Sequence, residues 1–351
     1  MFEPRDQIRE MAGYHSPQVE VGVRLNTNES PFPPPQQWIE SLEAIAQHVA
    51  WNRYPDRAAT QLRQVIAQRH GVDLENVFVA NGSNEVLQTI LLTYGGHGRK
   101  VATFEPTYQM YGQIARVTGA EVVVGSRRDD FTLDSNEITR VVGSEEIAVT
   151  FLTNPNNPTG VVEPRENLEV LLRTTSGIVV VDEAYAEFAD WSAIDMVSES
   201  ERLIVTRTFS KTLSLAALRV GYAIGPRWMI EKLSIAVLPY HLDAFKQAAT
   251  VAALSFVDEM QQRVEAITSE RGRIEHRLQA AGMTVWPSGA NFVLFRPQEE
   301  SSPTLWQQLL ERGILVRDCG SWPRLERCLR VTVGTETENS LFLDAVDDIM
   351  G

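Results

Sequence analysis

The sequence predicts an α/β core followed by a smaller α+β domain, and three observations support this prediction. The chain has 351 residues, about twice the length of a usual single domain. From about Tyr54, short apolar runs alternate with segments of helical periodicity, and several runs lack polar alternation. Such runs are typical of strands in a mostly parallel sheet that helices cover on both faces. After about Leu242 the pattern becomes helix, strand, helix, strand, helix, which indicates a second, smaller unit.

The predicted core begins with a helix that Asp56 caps and that Gly71 ends. Leu62, Val65 and Ile66 form its inner face. A short buried strand at residues 77–80 and a helix at residues 85–94 follow. Further strands are predicted at residues 100–104, 121–125, 147–153, 178–181 and 203–206.

The second unit begins with one long helix that ends near Gly282. A strand at residues 291–295 follows, and then a helix that Ser302 caps, with Pro303 in its first turn. A strand at residues 328–333 and a helix at about residues 341–349 complete the unit. The apolar stripe of the long helix consists of Met260, Val264, Ile267, Ile274 and Leu278.

The first part of the chain is irregular and rich in proline, which fixes φ and removes a backbone donor. Residues 30–35 read Ser-Pro-Phe-Pro-Pro-Pro and predict an extended arm, with a disordered tail as the alternative. We expect residues 1–45 to form this arm and part of the smaller domain. Residues 46–242 would then form the larger domain and residues 243–351 the C-terminal small domain.

The composition excludes several classes of protein. Asp and Glu number 46 against 32 Lys and Arg, which gives a formal net charge of −14. Nucleic acids and anionic membranes need a basic face, so neither is expected as a partner. The chain's two cysteines, Cys319 and Cys328, are too few for a disulfide framework, and its six histidines lack metal-ligand spacing. We find no apolar signal segment and no membrane-length apolar run, so we expect a cytoplasmic protein without a metal.

Two polar motifs follow the predicted strands at 77–80 and 147–153, and α/β proteins bind ligands at such strand ends. Residues 80–85 read Ala-Asn-Gly-Ser-Asn-Glu, and their small side chains let backbone N–H groups approach an anion such as phosphate. Ser83 or Asn84 could instead be a simple helix cap. Residues 154–160 read Asn-Pro-Asn-Asn-Pro-Thr-Gly and hold the amide of Asn157 in a rigid turn, with a plain loop as the alternative.

Two further motifs follow the next predicted strands. Asp182 ends a strongly apolar strand just before Tyr185, so its carboxylate either pairs with a ligand cation or is solvated at the rim. Residues 206–211 read Thr-Arg-Thr-Phe-Ser-Lys, and Arg219 comes eight residues after Lys211. Lys211 offers a nucleophilic amine, or else a solvated surface charge. The hydroxyls and Arg219 offer donors for a phosphate.

In this order, the four motifs resemble those of the fold type I aminotransferases, which use pyridoxal phosphate, and most of all those of the histidinol-phosphate aminotransferases. Residues 26–31 (Asn-Thr-Asn-Glu-Ser-Pro), 53–56 (Arg-Tyr-Pro-Asp), 106–108 (Pro-Thr-Tyr) and 329–335 (Leu-Arg-Val-Thr-Val-Gly-Thr) match stretches of that family. Ser30, Ala80 and Ala217 depart from it, at positions where Asn, Gly and Gly are frequent. The resemblance covers essentially the whole chain. It implies a large domain with a mostly parallel seven-stranded sheet flanked by helices, plus a smaller α+β domain.

The resemblance also implies how the cofactor is held. Lys211 would bind pyridoxal phosphate covalently and later carry the proton between substrate and cofactor. Asp182 would keep the ring nitrogen protonated. Asn157 and Tyr185 would bond the phenolic oxygen, and Tyr108 would stack on the ring. The phosphate would be bound by Ser83, Asn84, Thr208, Ser210 and Arg219.

For the substrate, the resemblance places Arg317 and Arg330 at the anionic end. A surface ion pair between Arg317 and Asp318 is the alternative. Tyr54 would reach substrate and cofactor from the neighbouring subunit, so the resemblance implies a homodimer with a shared active site. The remaining substrate contacts would come from Tyr14, Glu29 and Asn157.

The implied reaction is a reversible ping-pong transamination in histidine biosynthesis. L-Histidinol phosphate and 2-oxoglutarate would give imidazole acetol phosphate and L-glutamate, with pyridoxal phosphate as cofactor. An aromatic amino acid aminotransferase and a threonine-phosphate decarboxylase are the alternatives. A pyridoxal-phosphate-binding regulator would need a DNA-reading appendage, for which the sequence gives no sign.

Overall fold

The computed structural model describes residues 2–9, 11, 13, 17, 19–143, 146–298 and 304–350. Two β-sheets organise these residues, one of seven strands and one of five. The strands are β1 (Val23–Leu25), β2 (Val77–Ala80), β3 (Lys100–Glu105), β4 (Glu121–Ser126), β5 (Ile147–Thr153), β6 (Ile178–Asp182), β7 (Leu203–Thr208), β8 (Gly221–Ile224), β9 (Thr284–Val285), β10 (Phe292–Arg296), β11 (Ile314–Asp318) and β12 (Leu329–Thr332). The α-helices are α1 (Asp6–Arg9), α2 (Gln36–His48), α3 (Thr60–His70), α4 (Ser83–Tyr94), α5 (Met110–Thr118), α6 (Ser135–Gly143), α7 (Arg165–Thr174), α8 (Arg227–Ala236), α9 (Ala244–Ala253), α10 (Val257–Ala280), α11 (Leu305–Glu311) and α12 (Glu336–Met350).

The larger sheet has the strand order β2-β8-β7-β6-β5-β3-β4. Only β8, among these seven strands, runs against the common direction. Strands β2 and β6 are buried along their whole length, which explains their apolar residues on both faces. The predicted mostly parallel seven-stranded sheet is therefore confirmed. Strand β8 was not predicted, because two of its four residues are Gly221 and Ala223, types that are depleted in strands.

Helix α3 shows how the local sequence sets an element's ends. The N-cap is Ala59 and not the predicted Asp56, but Oδ2 of Asp56 accepts a hydrogen bond from the backbone N–H of Thr60, the first residue of the helix, at 2.7 Å. Gly71 ends the helix in the left-handed region, with φ of 63°. Leu62 and Ile66 are buried, so the helix turns its predicted apolar face toward the core.

The smaller sheet has the order β1-β11-β12-β10-β9 and packs against α10, α11 and α12. Strand β1 pairs in parallel with β11, which brings residues 23–25 beside residues 314–316. Helix α10 buries the apolar stripe that its sequence predicted. The N-cap of α11 is Thr304, which forms a capping box with Gln307. Ser302 and Pro303, the predicted start of that helix, lie outside the described residues.

Helices α2 and α9 pack together, although residues 49–243 separate them in the chain. Nε1 of Trp38 on α2 donates to the carbonyl oxygen of Ala249 on α9 at 2.8 Å. Both residues belong to a hydrophobic core that includes β5, β6 and β7 of the larger sheet. The division of the chain at residues 45 and 242 stays a prediction.

Helix α10 has 24 residues, but acidic and basic side chains interrupt its apolar positions throughout. Within the described ranges, no helix has both the length and the apolar composition that crossing a membrane requires.

Candidate active site

Several strands of the larger sheet end at a cavity of about 190 Å³. Because parallel strands carry their carboxyl ends to one edge, the motifs after β2, β5, β6 and β7 meet there. The smaller sheet contributes Arg330 from β12 and also Thr27 and Asn28, which follow β1. The predicted site residues that line the cavity are Ser83, Asn84, Tyr108, Asn157, Asp182, Tyr185, Thr208, Ser210, Lys211, Arg219 and Arg330.

One end of the cavity offers donors for an anion. Helix α4 begins at Ser83, so the N-terminal backbone groups of a 12-residue helix lie there. A Cβ on Gly82 would lie 2.6 Å from Nη2 of Arg219, so glycine is needed for this close approach. Nη1 of Arg219 donates to Oγ of Ser210 at 3.2 Å, and the hydroxyl of Thr208 donates to the same oxygen at 3.0 Å. Helix N-terminus, hydroxyls and guanidinium together suit a phosphate group.

Asp182 is a buried acid at the carboxyl end of β6. Burial raises the pKa of its carboxyl to about 6, although a hydrogen bond from Tyr111 opposes the rise. The hydroxyl of Tyr111 donates to Oδ2 at 2.7 Å, and the backbone N–H of Ala184 donates to Oδ1 at 3.2 Å. The carboxylate therefore has neutral donors but no cationic partner among these contacts.

Lys211 lies three residues beyond the end of β7. Burial lowers the pKa of its amine to about 7, and the positive charges of Arg330 and Arg219 lower it further, whereas Glu29 opposes them. Nζ donates to the carbonyl oxygen of Thr27 at 3.2 Å. An amine with this pKa is substantially neutral at pH 7, and the neutral amine is the form that attacks an aldehyde.

Three further polar side chains, those of Tyr185, Asn157 and Tyr108, face the same cavity. The phenolic oxygen of Tyr185 accepts a hydrogen bond from Nδ2 of Asn28 at 2.9 Å. Oδ1 of Asn157 accepts from Nη1 of Arg330 at 2.6 Å. Tyr108 donates its hydroxyl proton to Oδ1 of Asn84 at 3.1 Å, which ties its ring to the start of α4.

Arg317 and Arg330 lie opposite each other on the neighbouring strands β11 and β12. The guanidinium of Arg330 lies over the Phe292 ring at 5.1 Å, and that of Arg317 over the Trp322 ring at 5.2 Å. Arg317 is only 6% exposed, so it does not form a surface ion pair with Asp318. Two buried arginines at paired positions of neighbouring strands suit an anionic ligand.

Three of the predicted substrate residues that the structure describes, Tyr54, Glu29 and Arg317, do not line the cavity. Tyr54 is 81% exposed, and its ring stacks on that of Tyr240 at 4.6 Å. Oε2 of Glu29 accepts from Nη2 of Arg24 at 3.1 Å and from the hydroxyl of Thr27 at 2.9 Å. Tyr14 lies outside the described residues.

Sequence reasoning missed several residues that line the cavity, and two of them left a signal. Tyr111, in the first turn of α5, stands only three residues after Tyr108, and the two rings meet edge-on at 5.4 Å. Thr153 is the last residue of β5, directly before the motif that carries Asn157, and its Oγ1 is bonded to the hydroxyl of Tyr111 at 2.9 Å. The remaining missed lining residues are Thr27, Asn28, Gln109, Ala184 and Trp322.

The arrangement fits pyridoxal phosphate. Gly82 leaves room for a guanidinium beside a helix N-terminus, where a phosphate binds. Asp182 offers a buried carboxyl without a cationic partner among its hydrogen bonds, which suits a protonated ring nitrogen. Lys211 offers a partly buried amine of lowered pKa, which suits an aldehyde.

The chain belongs to the class I and II aminotransferases, since that family's model matches residues 20–346. It is therefore an enzyme that depends on pyridoxal phosphate, as its motifs predicted. Among its relatives are the histidinol-phosphate aminotransferase of Thermobifida fusca and histidinol-phosphate aminotransferase 3 of Burkholderia lata, each 42% identical. The first match covers 97% of this chain and 94% of the relative, and the second covers 99% and 95%.

A solved structure shares the whole fold. The crystal structure of histidinol-phosphate aminotransferase from Sinorhizobium meliloti, in complex with pyridoxal-5'-phosphate, superposes with a TM-score of 0.91 at 24% identity. The match covers 100% of this chain and 98% of the other. The predicted fold type I architecture is thereby confirmed.

Proposed function

We propose that this aminotransferase transfers the amino group of L-histidinol phosphate to 2-oxoglutarate, giving imidazole acetol phosphate and L-glutamate in histidine biosynthesis. The observation that carries the proposal is the pair of buried guanidinium groups of Arg317 and Arg330 on β11 and β12. Histidinol phosphate presents a phosphate, and 2-oxoglutarate presents carboxylates. Paired arginines bind both kinds of anion in one place. The relatives that bear this name support the same substrate.

The chain's own residues would divide the work as follows. The bound cofactor supplies an electron sink for the negative charge that develops on the substrate's carbon. Lys211 would anchor the cofactor and later move the proton between the substrate's Cα and the cofactor's C4′. Asp182 would hold the proton on the ring nitrogen, and Asn157 and Tyr185 would bond the phenolic oxygen. The phosphate would be held by Ser83, Asn84, Thr208, Ser210 and Arg219. Tyr108 would cover the ring of the cofactor.

The test is an amino-donor assay with the purified protein and added pyridoxal phosphate. Histidinol phosphate, phenylalanine and tyrosine are each supplied with 2-oxoglutarate, and glutamate is measured. We expect histidinol phosphate to be the best donor, and a Lys211→Ala variant to give none of the product. Turnover of phenylalanine or tyrosine without histidinol phosphate would make the protein an aromatic aminotransferase. Release of CO₂ from phosphothreonine without an oxo-acid would make it a decarboxylase.

A homodimer is the second part of the proposal. The exposed large apolar side chains include Tyr54, Trp51, Ile235 and Leu238. The ring of Tyr240 stacks on that of Tyr54. Exposed apolar groups of this size favour burial against another copy of the chain. Tyr54 would then complete the partner's cavity. Location in the cytoplasm stays a prediction.

Co-expression of two inactive variants tests the shared site. In a dimer that joins Lys211→Ala to Tyr54→Ala, a shared site places both defects in one cavity and leaves the other intact. Random pairing would then restore about a quarter of the wild-type activity. If each cavity used its own Tyr54, every cavity would carry one defect and the mixture would be as inactive as its parents. Sedimentation of the wild-type chain as a monomer would also contradict the proposal.

A further inference from the structure

Asn28 is a buried residue of the cavity to which the motifs gave no role. It is 1% exposed, and its φ of 54° is in the left-handed region, which asparagine tolerates better than most residues. Its backbone N–H donates to Oγ1 of Thr332 at 2.9 Å, and its carbonyl oxygen accepts from Nδ2 of Asn291 at 3.2 Å. Both partners belong to the smaller sheet or its edge, so this sheet holds the backbone of Asn28 in place.

The same contacts fix which way the side-chain amide of Asn28 points. Because Oγ1 of Thr332 already accepts from the backbone N–H, its own proton is available for Oδ1 of Asn28, 3.2 Å away. With its oxygen turned to Thr332, the amide turns its nitrogen to Tyr185 and donates to the phenolic oxygen at 2.9 Å. In the opposite orientation Nδ2 would donate to the hydroxyl of Thr332, and the proton of that hydroxyl would lose Oδ1 as its acceptor.

This direction determines what the hydroxyl of Tyr185 can do. A phenol has a single proton, and an oxygen that accepts from Asn28 must direct that proton elsewhere. Tyr185 is 4% exposed, and the ring of Phe292 packs edge-on against it at 5.1 Å. Tyr185 lines the cavity, so an acceptor on a ligand bound there can receive this proton. Nζ of Lys211, which lines the same cavity, lies 5.7 Å from the centre of the Tyr185 ring.

We propose that Asn28 is a positioning residue that makes Tyr185 a hydrogen-bond donor into the cavity, toward the phenolic oxygen of bound pyridoxal phosphate. This inference rests on the proposed role of Tyr185 at the cofactor. A donor at that oxygen stabilises the deprotonated form of the lysine-bound cofactor and so lowers the pH at which its proton leaves. Asn28 would thus act on the cofactor's ionisation without touching the cofactor.

A double-mutant cycle tests whether Asn28 acts through Tyr185. The Asn28→Gly variant removes the amide while suiting the left-handed backbone, and Tyr185→Phe removes the hydroxyl. The readout is the pH midpoint of the cofactor's visible absorbance in the wild type, both single variants and the double variant. We expect each single variant to raise the midpoint, by up to about one pH unit, or tenfold in proton affinity. The double variant should then match Tyr185→Phe alone.

Two outcomes of the double-mutant cycle would overturn the role proposed for Asn28. A merely structural role for Asn28 would give shifts that add in the double variant, or no shift at all from Asn28→Gly beside a clear one from Tyr185→Phe. Because the readout requires no amino donor, failure to turn over histidinol phosphate would refute the proposed substrate and leave this cycle decisive for Asn28.

Substitutions of Thr332 provide a second test of the role of Asn28, with a smaller change to the site. Thr332→Val removes only the hydroxyl that fixes the amide, and Thr332→Ser keeps it. We expect Thr332→Val to raise the midpoint and Thr332→Ser to leave it at the wild-type value. If Asn28→Gly does not fold, this pair decides the question, and equal midpoints for the two variants would refute the role of Asn28.

Discussion

The amine of Lys211 should titrate near neutrality even before the cofactor binds, which is the structure's sharpest quantitative consequence. Burial lowers its pKa from 10.5 to about 7, with help from the charges of Arg330 and Arg219. At pH 7 about half of such amines are neutral, against roughly one in 3,000 for an amine with a pKa of 10.5. The reactivity of Lys211 should therefore fall about tenfold between pH 8 and pH 6, because the ammonium form accumulates as the pH falls through 7.

Competitive labelling of the cofactor-free protein measures this titration directly. The chain has only four lysines, namely Lys100, Lys211, Lys232 and Lys246, so mass spectrometry of a digest can follow each of them. A limiting amount of acetic anhydride would be added at each pH from 5 to about 11, a range wide enough to include an ordinary lysine pKa. Exposed Lys232 serves as the internal reference in the same sample.

A matched variant separates the causes of the shift. Arg330→Gln removes one of the positive charges that disfavour the ammonium, so the midpoint of Lys211 should move upward in that variant. A wild-type midpoint above about 9 would refute the reasoning, because burial would then have failed to disfavour the charged amine. A Lys211 midpoint in the Arg330→Gln variant that is equal to or below the wild-type midpoint would also refute the reasoning.

Three further predictions concern other parts of the fold. Asp182→Ala should lower kcat on the order of a hundredfold or more while the dissociation constant of pyridoxal phosphate changes less, and equal losses in both would contradict the assigned role. Glu163→Gln leaves the buried guanidinium of Arg127 without its charged partner, so urea unfolding should show a loss of roughly 3–5 kcal/mol. The exposed pair of Arg227 and Glu231 is the control, since Glu231→Gln should cost under about 1 kcal/mol. Trp322→Leu removes the ring under Arg317 and should raise the KM for histidinol phosphate up to about thirtyfold. The control is Trp286→Leu, which removes the ring under Arg296 outside the cavity and should leave that KM unchanged.

The large sheet and most of its cavity could be predicted because their signals are local. Strands such as β6 are apolar on both faces, and only a sheet covered by helices on both sides makes that pattern stable. Once those strands are parallel, the residues that follow them must meet at one edge. Asn157, Asp182 and Lys211 come together for that reason, although residues 158–210 separate the first from the last.

The contributions of the smaller sheet could not be predicted in the same way, because they depend on pairing between distant segments. Strand β1 has three residues and becomes a strand by pairing with β11, about 290 residues later. That pairing positions Thr27 against Lys211 and Asn28 against Tyr185. The register that sets Arg317 opposite Arg330 is likewise a property of two strands together, and neither segment alone contains it.

Burial can shift the pKa values of Lys211 and Asp182 because the hydrogen-bond partners of both side chains are neutral. Strands β6 and β7 are neighbours, so a direct buried ion pair between the two side chains would have been an obvious way to satisfy both. In such a pair each charge would stabilise the other, and the amine would stay protonated at neutral pH and lose its nucleophilicity. The fold instead gives Lys211 a carbonyl oxygen and Asp182 a phenol, which are neutral partners. Burial can then hold the amine's pKa near 7, while the carboxyl remains available to a cation that arrives with the ligand.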